Sequence, residues 1–324
     1  MAKIALGMAT SHSPMLSAPA EEWVAKFGAK DRADPGLRHY QELENRNAER
    51  VAPQISLQSC QDRHRKTADA MNRIATTLQQ ASPDAVVIIG DDHHEMFSED
   101  HMPAVNIYWG ERYLNAPVDL ARTPDFRRSA MWAYHPEEPE WYPCDADLGR
   151  HVIESLVAQQ FDVSHSRSVP VDHEVGHAFN FIVRRFMSAG SPVPQVPIFL
   201  NTYFPPTQPA AGRCYAFGKA LRRAIETWDT SKTVAIIASG GLSHTVIDEG
   251  FDRAMLGAME KQDATEMCRW PESTFQSGTS EIKTWMFLAG AMEETRLRMR
   301  LVDYVPCYRS LAGTGVGAAF AEWV

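Results

Sequence analysis

Short apolar runs recur along the chain, and polar clusters that contain histidine follow several of them. Six runs have the length and the β-branched content of buried strands: residues 3–9, 85–90, 104–109, 160–164, 196–201 and 233–238. Continuous apolar runs of this kind are typical of parallel strands whose two faces are both covered. The pattern therefore predicts a central, mostly parallel sheet.

Helical patterns separate these runs. In residues 61–81, apolar side chains including Met71, Ile74 and Leu78 recur at three- and four-residue spacing, as in an amphipathic helix. Similar patterns occupy residues 147–159, 177–189, 213–228 and 281–294. Alternating strands and helices without an internal repeat predict a single α/β domain over residues 1–324, in which helices flank the sheet.

Two segments interrupt the alternation. Residues from about 17 to 80 begin with a polar, helix-prone stretch that we interpret as an excursion from the sheet. Residues from about 111 to 145 contain five prolines, two tryptophans and two tyrosines between positions 117 and 143. A loop of that length and composition is usually packed on the surface and in some proteins closes over the substrate, so we consider both roles.

Composition excludes several classes of partner. The chain of 324 residues carries a formal net charge of −9 and has no stripe of lysine and arginine, which argues against nucleic acid. It contains no apolar stretch of membrane-spanning length, and residues 1–12 do not resemble a signal peptide. The five cysteines are scattered and never form a CxxC pair. We therefore expect a cytoplasmic protein with reduced thiols and no membrane partner.

The polar clusters are the candidates for chemistry. They are Thr10-Ser11-His12, Asp91-Asp92-His93-His94, Asp172-His173 and Ser243-His244. In α/β proteins, ligands and catalytic groups gather beyond the carboxyl ends of the strands. Five ionisable groups in residues 91–95, directly after a buried strand, would be costly to bury without a cation. We therefore predict a metal or acid–base site at this edge of the sheet.

The same residues also have simpler interpretations. His12 or His244 could be a structural hydrogen-bonding group. The Glu281 carboxylate could have no other role than to stabilise the positive end of the dipole of the helix that begins there. The letters from His173 to His177 match the HExxH motif of zinc hydrolases, although Gly176 and Pro170 favour a turn that leads into a helix. Two histidines and one carboxylate from separate elements would instead suit an iron(II) facial triad.

Several ordered motifs resemble one family. They are ATSHSPML, VVIIGDDHHEMF, VPVDHEVGHAF, LNTYFPPTQPAAGRCYAFGKAL, ASGGLSH, GTSEIKTWMFLAGAM and YRSLAGTGVGAAF. Together they resemble the class III extradiol ring-cleaving dioxygenases, which include the catalytic (beta) subunit of protocatechuate 4,5-dioxygenase. The resemblance covers most of residues 1–16 and 83–324. It implies the fold of that catalytic subunit and extradiol cleavage of a catecholic aromatic acid by O2.

The resemblance also implies a set of metal ligands. His12, His93 and Glu281 match the positions that hold Fe(II) in the family. His93 matches better than His94, because the family histidine is followed by Phe four residues on, here Phe97. Glu281 matches the family glutamate that lies four residues before a tryptophan. No other cofactor is implied.

Proton transfer is assigned in the same way. His244 in the GGxSH motif matches the family acid–base residue. His173 matches a second active-site histidine, and Asp172 is its expected orienting neighbour. We also expect a homo-oligomer, most simply a dimer, in which residues 17–80 or 111–145 take the place of the accessory subunit of some relatives in closing the site.

One departure from the family pattern restricts the set of expected substrates. Where protocatechuate enzymes have Ser-Asn-Thr, this chain has Ala312-Gly313-Thr314. The loss of two polar side chains favours a substrate with a bulkier ring. The motifs NTYFPPTQP and AGTGVG resemble those of the family branch that acts on 3-O-methylgallate, gallate and lignin-derived biphenyls. We expect a substrate of this kind. A zinc-dependent hydrolase using His173, Glu174 and His177, or a non-catalytic binding protein of the same fold, remains the alternative.

Overall fold

A nine-stranded sheet forms the centre of the computed structural model, which describes residues 1–187 and 192–324. The strands are β1 (Lys3–Thr10), β2 (Ala85–Gly90), β3 (Val105–Tyr108), β4 (Arg112–Asn115), β5 (Glu140–Pro143), β6 (Ser164–Ser166), β7 (Gln195–Leu200), β8 (Thr233–Ser239), β9 (His244–Val246), β10 (Met299–Tyr308) and β11 (Thr314–Trp323). Strands β4 and β5 form a separate two-stranded ribbon.

The sheet is mixed, whereas the sequence predicted a mostly parallel one. Its order is β10-β11-β1-β8-β2-β7-β3-β6, with β9 paired to β11. The central strands β1, β8, β2 and β7 run parallel, but β11 pairs antiparallel with β1, β9 and β10, and β3 pairs antiparallel with β7. The prediction was wrong for two reasons: it left residues 299–323 unassigned, which form the long hairpin of β10 and β11, and it did not foresee that β3 runs antiparallel to β7.

The predicted helices lie close to the observed ones. The helices are α1 (Ala20–Glu22), α2 (Ala29–Ala33), α3 (Tyr40–Val51), α4 (Leu57–Ala81), α5 (Asp125–Arg128), α6 (Ala146–Ala158), α7 (His177–Phe186), α8 (Ala211–Thr227), α9 (Glu249–Glu260), α10 (Ala264–Cys268) and α11 (Ile282–Met292). A π-helical stretch, Trp23–Gly28, joins α1 to α2. The predicted continuation of α7 through 188 and 189 lies outside the described residues.

Alternate side chains of the central strands pack on opposite faces, as the twofold period of a strand requires. In β2, Val87 and Ile89 join the core formed with α6, α8, α9 and α11, while Val86 and Ile88 join the core formed with α4 and α7. Every residue of β2 is buried. Each such aliphatic side chain contributes about 1.5–3 kcal/mol through burial, which explains the uninterrupted apolar run.

The segment interpreted as an excursion divides into two parts. Helix α4 covers one face of the sheet through Met71, Ile74 and Leu78, so residues 57–81 belong to the main layers. Residues 20–51 form the shorter helices α1 to α3. Among residues 1–187 and 192–324, no helix has both the length and the apolar composition needed to cross a membrane.

Candidate active site

The candidate site lies at the carboxyl ends of three adjacent parallel strands. β1, β8 and β2 are neighbours in the sheet, so the residues that follow them are brought side by side. His12 follows β1, Asp91 and His93 follow β2, and Ser239 ends β8. The N-termini of α7 and α11 reach the same edge from opposite faces of the sheet. The polar clusters that follow β1, β2 and β8 thus meet at one place in the fold.

Glu281 lies at the centre of this cluster, directly before α11. Its Oε2 accepts a hydrogen bond from the Gly241 backbone N–H at 2.8 Å and lies 3.2 Å from Nε2 of His12. Its Oε1 lies 3.1 Å from Nε2 of His244. Burial raises the pKa of the Glu281 carboxyl, but His244 and His12 outweigh burial, so the pKa lies well below the usual range. A buried carboxylate anion between two imidazoles is the result.

A contact at Nδ1 fixes the orientation of the His12 ring. Its Nδ1 lies 2.9 Å from Oγ of Ser239, and that hydroxyl donates its hydrogen to the Ala178 carbonyl at 2.7 Å. Because the hydroxyl hydrogen is used, Ser239 must accept a hydrogen bond from Nδ1–H of His12. In the neutral ring this leaves the lone pair on Nε2, which faces Glu281 and Asp91. This is the tautomer that a metal ligand requires, with the second nitrogen held by the protein.

Asp91 provides the evidence for a cation. Its side chain is completely buried, and among the described residues no donor is aligned for a hydrogen bond with either carboxylate oxygen. Oδ2 lies 2.9 Å from Nε2 of His93, and Oδ1 lies 3.8 Å from Nε2 of His12. Buried carboxylate oxygens without donors are costly, and a divalent cation would remove that cost.

The donor atoms are also close enough to share an ion. The ligand atoms of Asp91, His93 and Glu281 lie within 4.8 Å of one another, as do those of His12, Asp91 and His177. Burial lowers the pKa of His93, but the Asp91 carboxylate outweighs burial and the pKa is raised overall. The residues present therefore fit a metal ion bound by imidazole and carboxylate groups.

The loop after β2 separates His93 from His94. The Asp92 carboxylate accepts hydrogen bonds from the backbone N–H groups of His94 at 3.0 Å and Met96 at 2.7 Å, which holds the loop. His94 has a positive φ of 64°, its side chain points outward, and its ring packs 3.8 Å from that of Phe204. Of these two histidines, His93 is the one whose ring faces Asp91.

His177 also belongs to the cluster, although the sequence pointed to it only as part of the HExxH-like motif. Its Nδ1 lies 2.8 Å from both carboxylate oxygens of Glu95, and its ring packs edge-on against His12 with centroids 4.7 Å apart. Burial lowers the pKa of His177, but Glu95 outweighs it and raises the pKa to about 10. Burial raises the pKa of Glu95, and the His177 charge lowers it to about 2. The two side chains form a mostly buried ion pair.

His173 and Asp172, which the resemblance assigned to the site, lie outside the cluster. Both are exposed, and Nδ1 of His173 is 2.9 Å from the Val171 carbonyl oxygen. The physical reason is Gly176, whose φ of +100° turns the chain just before α7. Helix α7 begins at His177, so His173 and His177 do not share a helix face. This geometry contradicts a zinc site of the HExxH type.

A buried network holds the turn that carries His244. The Asp252 carboxylate accepts hydrogen bonds from the Ser243 backbone N–H at 2.8 Å, the Ser243 hydroxyl at 2.7 Å and the Tyr304 hydroxyl at 2.7 Å. Burial raises the pKa of Asp252 to about 6. Nδ1 of His244 lies 3.2 Å from the Leu242 carbonyl oxygen, and a side chain at Gly278 would overlap its ring.

A cavity of about 560 Å³ opens onto the cluster. His12, His93, His177, His244 and Glu281 line its inner end. Both segments that interrupt the sequence pattern contribute to its wall: Phe27, Lys30 and Asp31 come from the first, and residues from Val118 to His135 from the second. Tyr134 of the second segment donates a hydrogen bond to the His12 carbonyl. These segments are therefore placed where a cover over the site would be.

The Ala312-Gly313-Thr314 turn does not line this cavity in the described part of the chain. Asn47 of α3 donates a hydrogen bond to the Ala312 carbonyl at 3.1 Å, and the Thr314 and Ser310 hydroxyls are 2.7 Å apart. The nearest cavity-lining side chain along the sequence is that of Arg309. The expectation that this turn faces the substrate is therefore not matched, because α3 covers it.

Comparisons with known proteins point to one class of enzyme. Residues 53–315 match the family model described as the catalytic LigB subunit of aromatic ring-opening dioxygenase. A gallate dioxygenase of Pseudomonas putida is 33% identical over 177 residues, which cover 52% of this chain and 51% of that protein. A 2,3-dihydroxyphenylpropionate/2,3-dihydroxicinnamic acid 1,2-dioxygenase of Rhodococcus jostii is 24% identical over 316 residues, covering 78% of this chain and 90% of that protein. The match thus spans about half the length of the gallate dioxygenase.

Proposed function

Because this chain belongs to the family of catalytic LigB subunits of aromatic ring-opening dioxygenases, we propose that it cleaves a catecholic aromatic acid beside its diol, with O2 as co-substrate and Fe(II) as the metal. The observation that carries the proposal is the buried cluster of imidazole and carboxylate groups at the inner end of an open cavity. It provides donors for a metal and, in the same place, groups that can exchange protons.

His12, His93 and Glu281 are the residues that we propose as ligands. His12 presents Nε2 because Ser239 holds Nδ1, and Glu281 lies 3.2 Å from that Nε2. Asp91 then supplies a further negative charge beside His93. Bound Fe(II) would allow electrons to pass from the catechol ring to dioxygen, and two histidines with one carboxylate leave positions open for both molecules.

His244 is the residue that we propose as the proton carrier. Its Nδ1–H is directed at the Leu242 carbonyl, so Nε2 is the atom that can exchange a proton with a bound molecule. Burial lowers the pKa of His244, but Glu281 outweighs it and raises the pKa above the ordinary histidine value. His244 could therefore take a proton from a catechol hydroxyl, hold it beside Glu281 and return it later in the reaction.

His173, with Asp172, remains a proposed second proton carrier from the family resemblance alone. In the present arrangement it would have to move inward past Gly176 to reach the cavity. A His173→Ala variant tests the role. Normal ring opening in that variant would remove His173 from the mechanism.

For the substrate we propose 3-O-methylgallate, gallate or a related lignin-derived catechol. The similarity to a gallate dioxygenase supports this class, although the matched region is about half of that enzyme. The cavity of about 560 Å³ has room for a substituted single ring. We further propose that the protein acts in the cytoplasm as a homo-oligomer, most simply a dimer, which sedimentation velocity would test.

The test is oxygen uptake by protein purified and loaded with Fe(II) without air. Gallate, 3-O-methylgallate, protocatechuate and a dihydroxybiphenyl acid form the panel, and zinc-loaded protein is the control. We expect uptake with at least one of these catechols, accompanied by the absorbance of a ring-opened product, only with iron. His93→Ala should abolish it and His94→Ala should not. If iron-loaded protein consumed no oxygen with any of them, a non-catalytic binding role would be favoured.

A further inference from the structure

A single arginine connects the candidate site to the helical segment above it. Arg309 directly follows β10, and its side chain, 11% exposed, lines the same cavity as His244 and Glu281. Nε donates to Oδ2 of Asp31 at 2.6 Å, and Nη2 donates to Oδ1 of Asp31 at 3.0 Å. Asp31 is completely buried. The guanidinium is therefore held in one orientation at the wall of the cavity.

The backbone beside Arg309 and Asp31 is closely packed as well. Gly28 lies three residues before Asp31 in the same helical stretch, and a Cβ atom at that position would overlap the Arg309 carbonyl oxygen. Gly28 and Asp31 thus both lie against Arg309. Arg309 is thus one point at which the first segment that interrupts the sequence pattern is anchored beside the site.

The guanidinium retains unused donors. Of its five N–H bonds, the ion pair with Asp31 uses one from Nε and one from Nη2. Nη1 has a sulfur contact, 3.8 Å from Sδ of Met15, which is a weak acceptor. A buried arginine fixed on one edge and open on another is suited to bind a second carboxylate, because its planar fork is already oriented.

We propose that Arg309 recognises the carboxylate of an aromatic acid substrate, with Asp31 as the residue that positions it. The inference rests on the proposed function, since it assumes that the diol of the substrate lies at the cluster of His12, His93 and Glu281. The carboxylate then points along the cavity wall to the guanidinium. Lys30 also lines the cavity, but its ammonium pairs with Asp34 at 2.6 Å, so Arg309 is the group assigned to the carboxylate. Catechols without a carboxylate lack this contact.

The test compares two pairs of ring compounds that differ only in the carboxylate: gallate with pyrogallol, and protocatechuate with catechol. The variants are Arg309→Met and Arg309→Lys, together with Asp31→Asn/Arg309→Met, which avoids leaving a buried carboxylate unpaired. Arg150→Met, an exposed arginine of α6 that pairs with Glu154, is the control for charge loss. Kinetic constants for ring opening and anaerobic binding by titration calorimetry are both measured.

We expect Arg309→Met and the double variant to raise KM and Kd for the two acids by roughly 10- to 100-fold, the contribution of a hydrogen-bonded charge pair. The corresponding values for pyrogallol and catechol should change by less than about threefold, because the removed contact is absent for them. Arg309→Lys should recover part of the affinity for the acids. Arg150→Met should behave like the wild type.

Two results would overturn the assignment. An equal loss for acids and neutral catechols would mean that Arg309 only supports the fold, and no loss for the acids would mean that it does not meet the carboxylate. If the wild type opened none of the four rings, the proposed function would fail. Calorimetry would still decide about Arg309, by showing whether the acids bind more tightly than the neutral rings and whether Arg309→Met removes that difference.

Discussion

Oε1 of Glu281 lies 3.1 Å from Nε2 of His244, so the proposed metal ligand and the proposed proton carrier are in direct contact. Both side chains are held in place by the same turn, since the Gly241 backbone N–H donates to Glu281 and the Leu242 carbonyl lies beside Nδ1 of His244. If both proposed roles hold, metal binding and proton transfer are coupled through one carboxylate. Changing Glu281 should affect both.

Replacement of Glu281 by glutamine tests this coupling. Glu281→Gln keeps the shape but removes the charge, so Fe(II) affinity should fall by about 100-fold or more, beyond the loss typical of an outer-shell partner. The pKa of His244 should also fall, because the carboxylate that raises it is gone. Metal competition titration and NMR titration of His244 measure the two effects. Glu154→Gln on the exposed face of α6 is the control, and full iron content in Glu281→Gln after dialysis would contradict the assignment.

The support of His12 by Ser239 gives a second prediction. Ser239→Ala removes the acceptor of Nδ1–H, so the ring loses its fixed tautomer and orientation. We expect Fe(II) affinity to fall by roughly 10- to 100-fold while the protein stays folded. Thr67→Val is the control, because that buried hydroxyl of α4 donates to the His64 carbonyl and does not line the cavity. Equal affinities in the two variants would show that Ser239 does not orient the ligand.

The Glu95–His177 ion pair predicts how the metal-free protein responds to pH. The pKa of Glu95 is lowered to about 2, so its contribution is present above the usual Glu pKa and is lost as pH falls toward 2. The pKa of His177 is raised to about 10, so its contribution is complete below about pH 6.5 and is lost as pH rises toward 10. Glu95→Gln should lower the free energy of unfolding by about 3 kcal/mol near pH 6, as breaking a buried pair does.

Denaturant unfolding of the metal-free protein at several pH values measures this effect. The difference between wild type and Glu95→Gln should shrink toward both pH extremes. Glu140→Gln, half-exposed and 3.5 Å from Arg184, is a comparison ion pair that should cost about 1 kcal/mol or less. A difference independent of pH would show that the pair is not charged.

Asp252 makes the free energy of unfolding depend on pH with a sign opposite to that of Glu95. Burial raises the pKa of Asp252 to about 6, above its unfolded value of 3.8, so the folded protein binds the proton more tightly. Stability should therefore decrease as pH rises from about 4 to 6 and change no further from this cause, by about 3 kcal/mol in total. Asp252→Asn should remove that slope. Unfolding curves from pH 4 to 8 provide the measurement, and an unchanged slope in the variant would exclude Asp252 as its source.

The sequence predicted the central strands well because their chemistry is local. AVVIIG is apolar at every position, and residues 85–90 are buried on both faces. The hairpin of β10 and β11 was missed because its small residues, such as Gly315 and Gly317, do not form a run of large apolar side chains. Without that hairpin, the antiparallel edge of the sheet could not be predicted.

The site was predicted only as far as strand ends could indicate it. His12 and His93 follow strands, and their convergence follows from the neighbouring positions of β1, β8 and β2. The side chains contributed from across the fold gave a weaker signal. His177 lies in the cluster because Gly176 turns the chain. The Arg309 side chain lines the cavity because it is bound by Asp31, which lies 278 residues earlier in the chain. Such pairings depend on tertiary packing, which spacing along the chain does not encode.

The central claim is ring opening by dioxygen, and its most direct test is the fate of labelled oxygen. Protein loaded with Fe(II) without air is mixed with gallate or 3-O-methylgallate and then with ¹⁸O₂, and the product is analysed by mass spectrometry and NMR. We expect a ring-opened product that contains both atoms of one O2 molecule and whose broken bond lies outside the diol. A product cleaved between the two hydroxyl-bearing carbons, or oxygen consumed without incorporation into the ring, would contradict it.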